Sequence, residues 1–139
     1  MIVVIDTNIL LVSISPQSIH HWIYKQFLNK EFQLVVSTEI LLEYEEIIER
    51  FMGKPVAQSV VHAIAYAPNT VLVTRWFCWN LISIDPDDNK FVDAFIASGA
   101  DFIVTEDKHF DVLNDIPFPP TKILSLSGFA ELFNNVKSP

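Results

Sequence analysis

Met1-Ile2-Val3-Val4-Ile5-Asp6-Thr7-Asn8 opens the chain, and a short aliphatic run ends there in one aspartate. The run is rich in β-branched residues and closes on polar ones, the signature of a buried strand. In the middle of a parallel sheet, Asp6 would stand at that strand's carboxyl end. Ligand sites of open α/β sheets form at such ends. A carboxylate is costly to bury there unless it is paired, and a metal ion is a common partner. The reading of the remaining sequence turns on whether it brings further carboxylates to the same place.

With 139 residues the chain is long enough for one domain with one sizeable core, so residues 1–139 are read as a single domain. Half of the residues are hydrophobic, which excludes disorder. The apolar runs are too short to span a membrane, so no membrane partner is expected. The N-terminus lacks a basic region and its apolar run is broken by Asp6, which argues against a signal peptide and for the cytoplasm. Cys78 is the single cysteine and cannot form an internal disulfide; between Phe77 and Trp79 it reads as packed and inert. A net charge of −8 runs against the basic face usual in nucleic-acid binders. It suits a protein that gathers carboxylates around a cation.

Strands are expected at residues 2–5, 32–36, 71–74, 102–104 and 122–126, with a further short one at 81–84. Helices are expected at 21–28, 38–52, 56–67, 88–98 and 128–134, and a helical turn at 108–113. Residues 13–18 read as a turn around Pro16, and 116–121 as a proline-rich loop. The aromatic cluster Trp76, Phe77 and Trp79 has no clear assignment. This alternation predicts an α/β fold, a mostly parallel sheet with helices on both faces.

On the helix at 38–52 the apolar stripe is Ile40, Leu41, Tyr44, Ile47, Ile48 and Phe51. At about 100° per residue, Glu39, Glu46, Glu49 and Arg50 fall on the solvated side. Glu43 and Glu45 fall on the two edges of the stripe, and periodicity does not choose between them. On the helix at 88–98, Asp88 lies on the centre line of the stripe Phe91, Val92, Phe95 and Ile96, at the helix N-terminus. It reads either as a plain N-cap or as a carboxylate aimed at the buried side. Asp93 falls about 140° around, on the polar flank. Asp85 and Asp87 read as turn and capping residues. Asp107 follows the strand at 102–104 as Asp6 follows the first, with Thr105 two residues earlier. Each of these has an ordinary turn or surface reading; their convergence on one sheet edge does not. Oxygen-only ligands favour Mg²⁺ or Mn²⁺ over zinc. His20, His21, His62 and His109 show no zinc spacing, and three glycines leave no room for a phosphate loop.

These residues resemble the PIN domain family of metal-dependent ribonucleases, over nearly the whole chain. The matching stretches are Ile5-Asp6-Thr7-Asn8, Ser37-Thr38-Glu39-Ile40-Leu41-Leu42-Glu43-Tyr44, Asp85-Pro86-Asp87-Asp88-Asn89-Lys90-Phe91 and Gly99-Ala100-Asp101-Phe102-Ile103-Val104-Thr105-Glu106-Asp107. The resemblance is closest to PIN proteins that serve as toxins of type II toxin–antitoxin systems. It implies a three-layer α/β/α sandwich with a central mostly parallel sheet. It implies that Asp6, Glu43, Asp88 and Asp107 form a catalytic, metal-binding acidic site, which selects Glu43 over Glu45. Asp93 matches a position often acidic in this subgroup and is kept as a fifth metal ligand. Thr7, Asn8 and Thr105 match supporting polar residues. The implied cofactor is Mg²⁺ or Mn²⁺, the implied substrate RNA, cut to 5′-phosphate and 3′-hydroxyl ends, and the implied partner an antitoxin protein.

Nine basic residues against seventeen acidic ones hold RNA poorly. Lys25, Arg50, Lys54, Lys90 and Lys108 are available to rim a cleft, and a homodimer or higher oligomer would build a groove that one chain lacks. Leu42 and the aromatics at 76–79 are contact points for such partners. A haloacid-dehalogenase-like phosphatase also begins with a strand and an aspartate, but needs a second aspartate where Asn8 stands. A catalytically silent PIN-fold module that binds RNA or protein is the main alternative.

Overall fold

The computed structural model describes residues 1–75 and 77–137, so Trp76 lies outside the described residues. One sheet holds β1 (Ile2–Ile5), β2 (Gln33–Val36), β3 (Thr70–Leu72), β4 (Phe102–Val104) and β5 (Ile123–Leu124). Every pairing is parallel, in the order β3-β2-β1-β4-β5. The helices are α1 (Thr7–Ile14), α2 (His21–Leu28), α3 (Thr38–Met52), α4 (Lys54–Tyr66), α5 (Asn89–Ser98) and α6 (Leu126–Lys137). Two 3-10 segments, Pro86–Asp88 and Lys108–Asp115, precede α5 and follow β4.

β1 is the central strand, and Val3, Val4 and Ile5 are at most 1% exposed. A strand buried on both faces needs helices on both, which gives the α/β/α sandwich expected from the alternation. The chain steps outward from β1 to β2 to β3, then crosses back to β4 on the other side of β1. That reversal makes the boundary between β1 and β4 the switch point of the sheet. A crevice opens there at the carboxyl ends of the strands.

Away from the sheet, the aromatic side chains close the core. Trp22 of α2 packs against Phe129 and Phe133 of α6, with ring centroids 5.5 and 5.7 Å apart, and Phe32 meets both phenylalanines. Ser125 holds the start of α6, accepting from the Gly128 N–H through Oγ at 3.1 Å and from the Phe129 N–H through its carbonyl at 2.9 Å. α5 ends at Gly99, whose φ of 67° is a left-handed conformation that side chains resist.

Four expectations are corrected. The sequence reading assigns no helix to residues 7–12, yet α1 lies there. Its Ile9-Leu10-Leu11-Val12 run is apolar without interruption, so no helical period is visible. The strand expected at 81–84 is a loop: the Asn89 side chain accepts from the Ile82 N–H at 2.9 Å and donates to its carbonyl at 2.8 Å. A side-chain amide thus replaces the neighbouring strand and buries Ile82. Phe51, placed on the buried stripe of α3, is 67% exposed, because it falls in the last turn, beyond the sheet. Cys78 is exposed rather than packed; Phe77 and Trp79 meet each other edge to face at 4.7 Å and leave the thiol outside.

Candidate active site

Asp6 is positioned by the pairing of β1 with β4. Its N–H donates to the Val104 carbonyl at 3.0 Å, continuing the ladder one residue past β1. Its side chain is 6% exposed and accepts from the Thr105 hydroxyl at 2.7 Å. Thr105 in turn accepts from the Asp107 N–H at 3.0 Å, so one hydroxyl links the ends of the two strands. Burial pushes the Asp6 carboxyl above its usual range. Hydrogen bonds from Thr105 and the Thr7 backbone pull it back, while the charges of Asp107 and Glu43 push it further up.

Glu43 reaches the same place from α3. Ser37 caps that helix, accepting from the Ile40 N–H at 3.2 Å. The fully buried Tyr44 hydroxyl donates to the Ile5 carbonyl at 2.5 Å and ties α3 to the end of β1. With α3 so held, the adjacent Glu43 accepts from the Thr7 hydroxyl through Oε2 and pairs with Lys90 Nζ through Oε1 at 2.8 Å. Glu45, on the other edge of the stripe, makes no contact with this cluster among the described residues. The ambiguity left by periodicity is thus resolved by packing.

Asp88 is 9% exposed and makes no side-chain cap on α5. Its Oδ2 instead lies 3.3 Å from His109 Nδ1, which also sits 3.5 Å from Asp107 Oδ1. Asp107 caps the 3-10 helix that carries His109, accepting from the His109 N–H at 2.9 Å. Burial raises the Asp88 carboxyl to about 6; the hydrogen bond from His109 opposes this, and the charges of Asp85, Asp107 and Asp6 add to it. Asp85 accepts from the Asp87 N–H at 3.2 Å, the turn role expected of it. Beside Asp107 a polar cleft of about 470 Å³ opens between Thr105, Lys108, Asp111, Asn114 and Ser125.

Asp93 is not on a polar flank: it is 2% exposed. The loop after β3 covers it, with Arg75 Nε 2.6 Å from its Oδ2 and the Trp79 N–H donating to Oδ1 at 3.1 Å. Asn8 is exposed on the first turn of α1, and among the described residues it makes no contact with the cluster. Of the basic residues considered for a rim, Lys90 is at the site and Lys108 lines the adjoining cleft, while Arg50 pairs with Glu46. His109 was not singled out by sequence: a search for paired histidines passes over one that lies two residues beyond Asp107.

Asp6, Glu43, Asp88 and Asp107 are thus held near one another by β1, α3, the 3-10 segment before α5 and the end of β4. The charges of Asp107 and Glu43 raise the proton affinity of Asp6, those of Asp107 and Asp6 raise that of Asp88, and all four donors are hard oxygens. That chemistry fits a divalent cation such as Mg²⁺ or Mn²⁺.

Fold and site together define an α/β sandwich with an acidic cluster at the switch point of its parallel sheet. Residues 2–109 match the family model described as PIN domain, and the chain belongs to that family. Among solved structures it is similar to Mycobacterium tuberculosis VapC20, a sarcin–ricin loop cleaving toxin. That match has a TM-score of 0.61 and 13% identity, and covers 78% of this chain and 92% of that one. It is also similar to VapBC2 from Rickettsia felis bound to a DNA fragment from its promoter. There the TM-score is 0.61 and the identity 17%, over 90% of this chain and 98% of that one. No curated protein matches the sequence.

Proposed function

We propose that this chain is a divalent-metal-dependent endoribonuclease that hydrolyses RNA phosphodiester bonds, the toxin of a toxin–antitoxin pair. The observation that carries the reading is the convergence of Asp6, Glu43, Asp88 and Asp107 at one sheet edge. Family membership and the likeness in fold to a sarcin–ricin loop cleaving toxin support it. Residues 1–139 act as a single PIN domain in the cytoplasm, as a homodimer or higher oligomer, with an antitoxin protein as regulator. No helix among the described residues is long and apolar enough to cross a membrane.

Asp6, Glu43, Asp88 and Asp107 would hold Mg²⁺ or Mn²⁺; Asp93, expected as a fifth ligand, instead spends its two oxygens on Arg75 and the Trp79 N–H. Bound there, the cation supplies an activated water nucleophile near neutral pH and offsets charge on the phosphoryl oxygens. The residues around it do the positioning. The Thr105 hydroxyl and the Thr7 backbone fix the Asp6 carboxylate at the end of β1. Thr7 and Lys90 hold the two oxygens of Glu43, and the Lys90 ammonium adds a positive charge beside the incoming phosphate. Asn8, exposed on the first turn of α1, would meet the RNA rather than the carboxylates.

The test is cleavage of a mixed RNA pool with Mn²⁺, Mg²⁺ or EDTA, wild type beside Asp6→Asn. Metal-dependent cleavage that disappears in the folded variant is the expected result. Activity retained in Asp6→Asn, with the same metal dependence, overturns the assignment. The net charge of −8 favours a second reading, a silent PIN-fold binding module. Folded protein that turns over no RNA with any metal would support that reading.

A further inference from the structure

We propose that His109 contributes a nitrogen ligand to the cation at this site, so that a position formed by His109, Asp88 and Asp85 binds Mn²⁺ in preference to Mg²⁺. The proposal rests on the divalent-metal reading above and extends it beyond the acidic set. One donor atom from each of Asp85, Asp88 and His109 lies within 4.8 Å of the other two. An ion with bonds of about 2.1 Å sets neighbouring donors about 3 Å apart and opposite donors about 4.2 Å apart. The hydrogen bond between His109 Nδ1 and Asp88 Oδ2 is longer than most at 3.3 Å and close to that neighbouring spacing.

The ring is also held where it stands. The His109 N–H donates to Asp107 Oδ1 at 2.9 Å, and Nδ1 is the nitrogen turned toward both aspartates. Asp88 is nearly buried and spends no oxygen on capping α5, so its carboxylate faces the ring rather than the helix end. A carboxylate and water shell suits Mg²⁺, whereas an added imidazole favours a transition ion such as Mn²⁺. The remaining histidines cannot be mistaken for it. His21 Nδ1 lies 2.8 Å from the Ser13 carbonyl, His62 packs on Tyr66, and His20 lines a different cleft with Trp22, Glu106 and Leu126, which none of Asp85, Asp88 and Asp107 lines.

Pulsed electron paramagnetic resonance of the Mn²⁺-loaded protein reads the ligand directly, and calorimetry gives the affinities for Mn²⁺ and Mg²⁺. Wild type is expected to show nitrogen modulation on bound Mn²⁺. His109→Gln, which keeps the backbone donor to Asp107, should lose it and bind Mn²⁺ about 10-fold to 100-fold more weakly, with a smaller change for Mg²⁺. Asp85→Asn should weaken Mn²⁺ while keeping the nitrogen signal. Mn²⁺ that binds wild type without nitrogen modulation overturns the role of His109 and leaves the metal-dependent reading standing. Failure of folded wild type to bind either ion overturns both.

Discussion

Asp88 is where the chemistry of single residues is most exposed to test. Its carboxyl sits at about 6 in the folded protein, against 3.8 as its reference. The folded state therefore binds this proton more tightly than the unfolded chain. Its contribution to stability is complete below about pH 4 and is lost as pH rises through about 6. Metal-free protein should be less stable at pH 7 than at pH 5 on this account, by denaturant melts in EDTA. Asp88→Asn should remove that slope and stabilise the metal-free protein at pH 7 by about 1–2 kcal/mol. The same ionisation is needed for ligation, so affinity for Mn²⁺ should climb between pH 5 and pH 7 in wild type. A wild-type stability that stays flat over this range would remove burial as the source of the raised proton affinity.

Two contacts between elements decide how the site is built. Tyr44 carries the bond from α3 to the end of β1, fully buried. Tyr44→Phe leaves the Ile5 carbonyl without that donor and should cost about 1–3 kcal/mol. It should also weaken metal binding, since Glu43 is held by the same helix. Unchanged affinity in Tyr44→Phe would mean that Thr7 and Lys90 position Glu43 on their own. Arg75 ties the loop after β3 to α5 through Asp93 and to α3 through Glu39 at 3.4 Å. Arg75→Met strands a buried carboxylate and should destabilise the protein by about 3–5 kcal/mol. Adding Asp93→Asn should restore part of that loss. At this scale the sequence was only partly legible. The periodic helices α2, α3 and α5 show in their apolar stripes, whereas α1 is hidden by its unbroken apolar run. The loop at 81–84 has a strand's composition, because the Asn89 amide supplies what a partner strand otherwise would.

For the whole molecule, charge sets the terms. A chain at −8 repels a polyanion, and much of nucleic-acid affinity comes from phosphate contacts. In EDTA the protein should bind single-stranded RNA more weakly than about 10⁻⁴ M at physiological salt, by fluorescence anisotropy. Addition of Mn²⁺ to the Asp6→Asn variant should then tighten binding less than in wild type. Tight binding in EDTA would shift the weight to an RNA-binding module with a surface other than the acidic cluster. Leu42, Phe77 and Phe118 are each more than 60% exposed and remain available as contacts with a second chain. The sequence alone determined the α/β layering and placed Asp6 and Asp107 at strand ends, since both follow from local hydrophobic pattern and from where aliphatic runs stop. Periodicity left Glu43 and Glu45 equivalent, so that only the family resemblance chose Glu43, and the same pattern put Asp93 on a polar flank and overlooked His109. Those outcomes depend on which loop covers a helix and which strand neighbours which. Such contacts join residues as far apart as Asp6 and Thr105, and only the tertiary structure decides them.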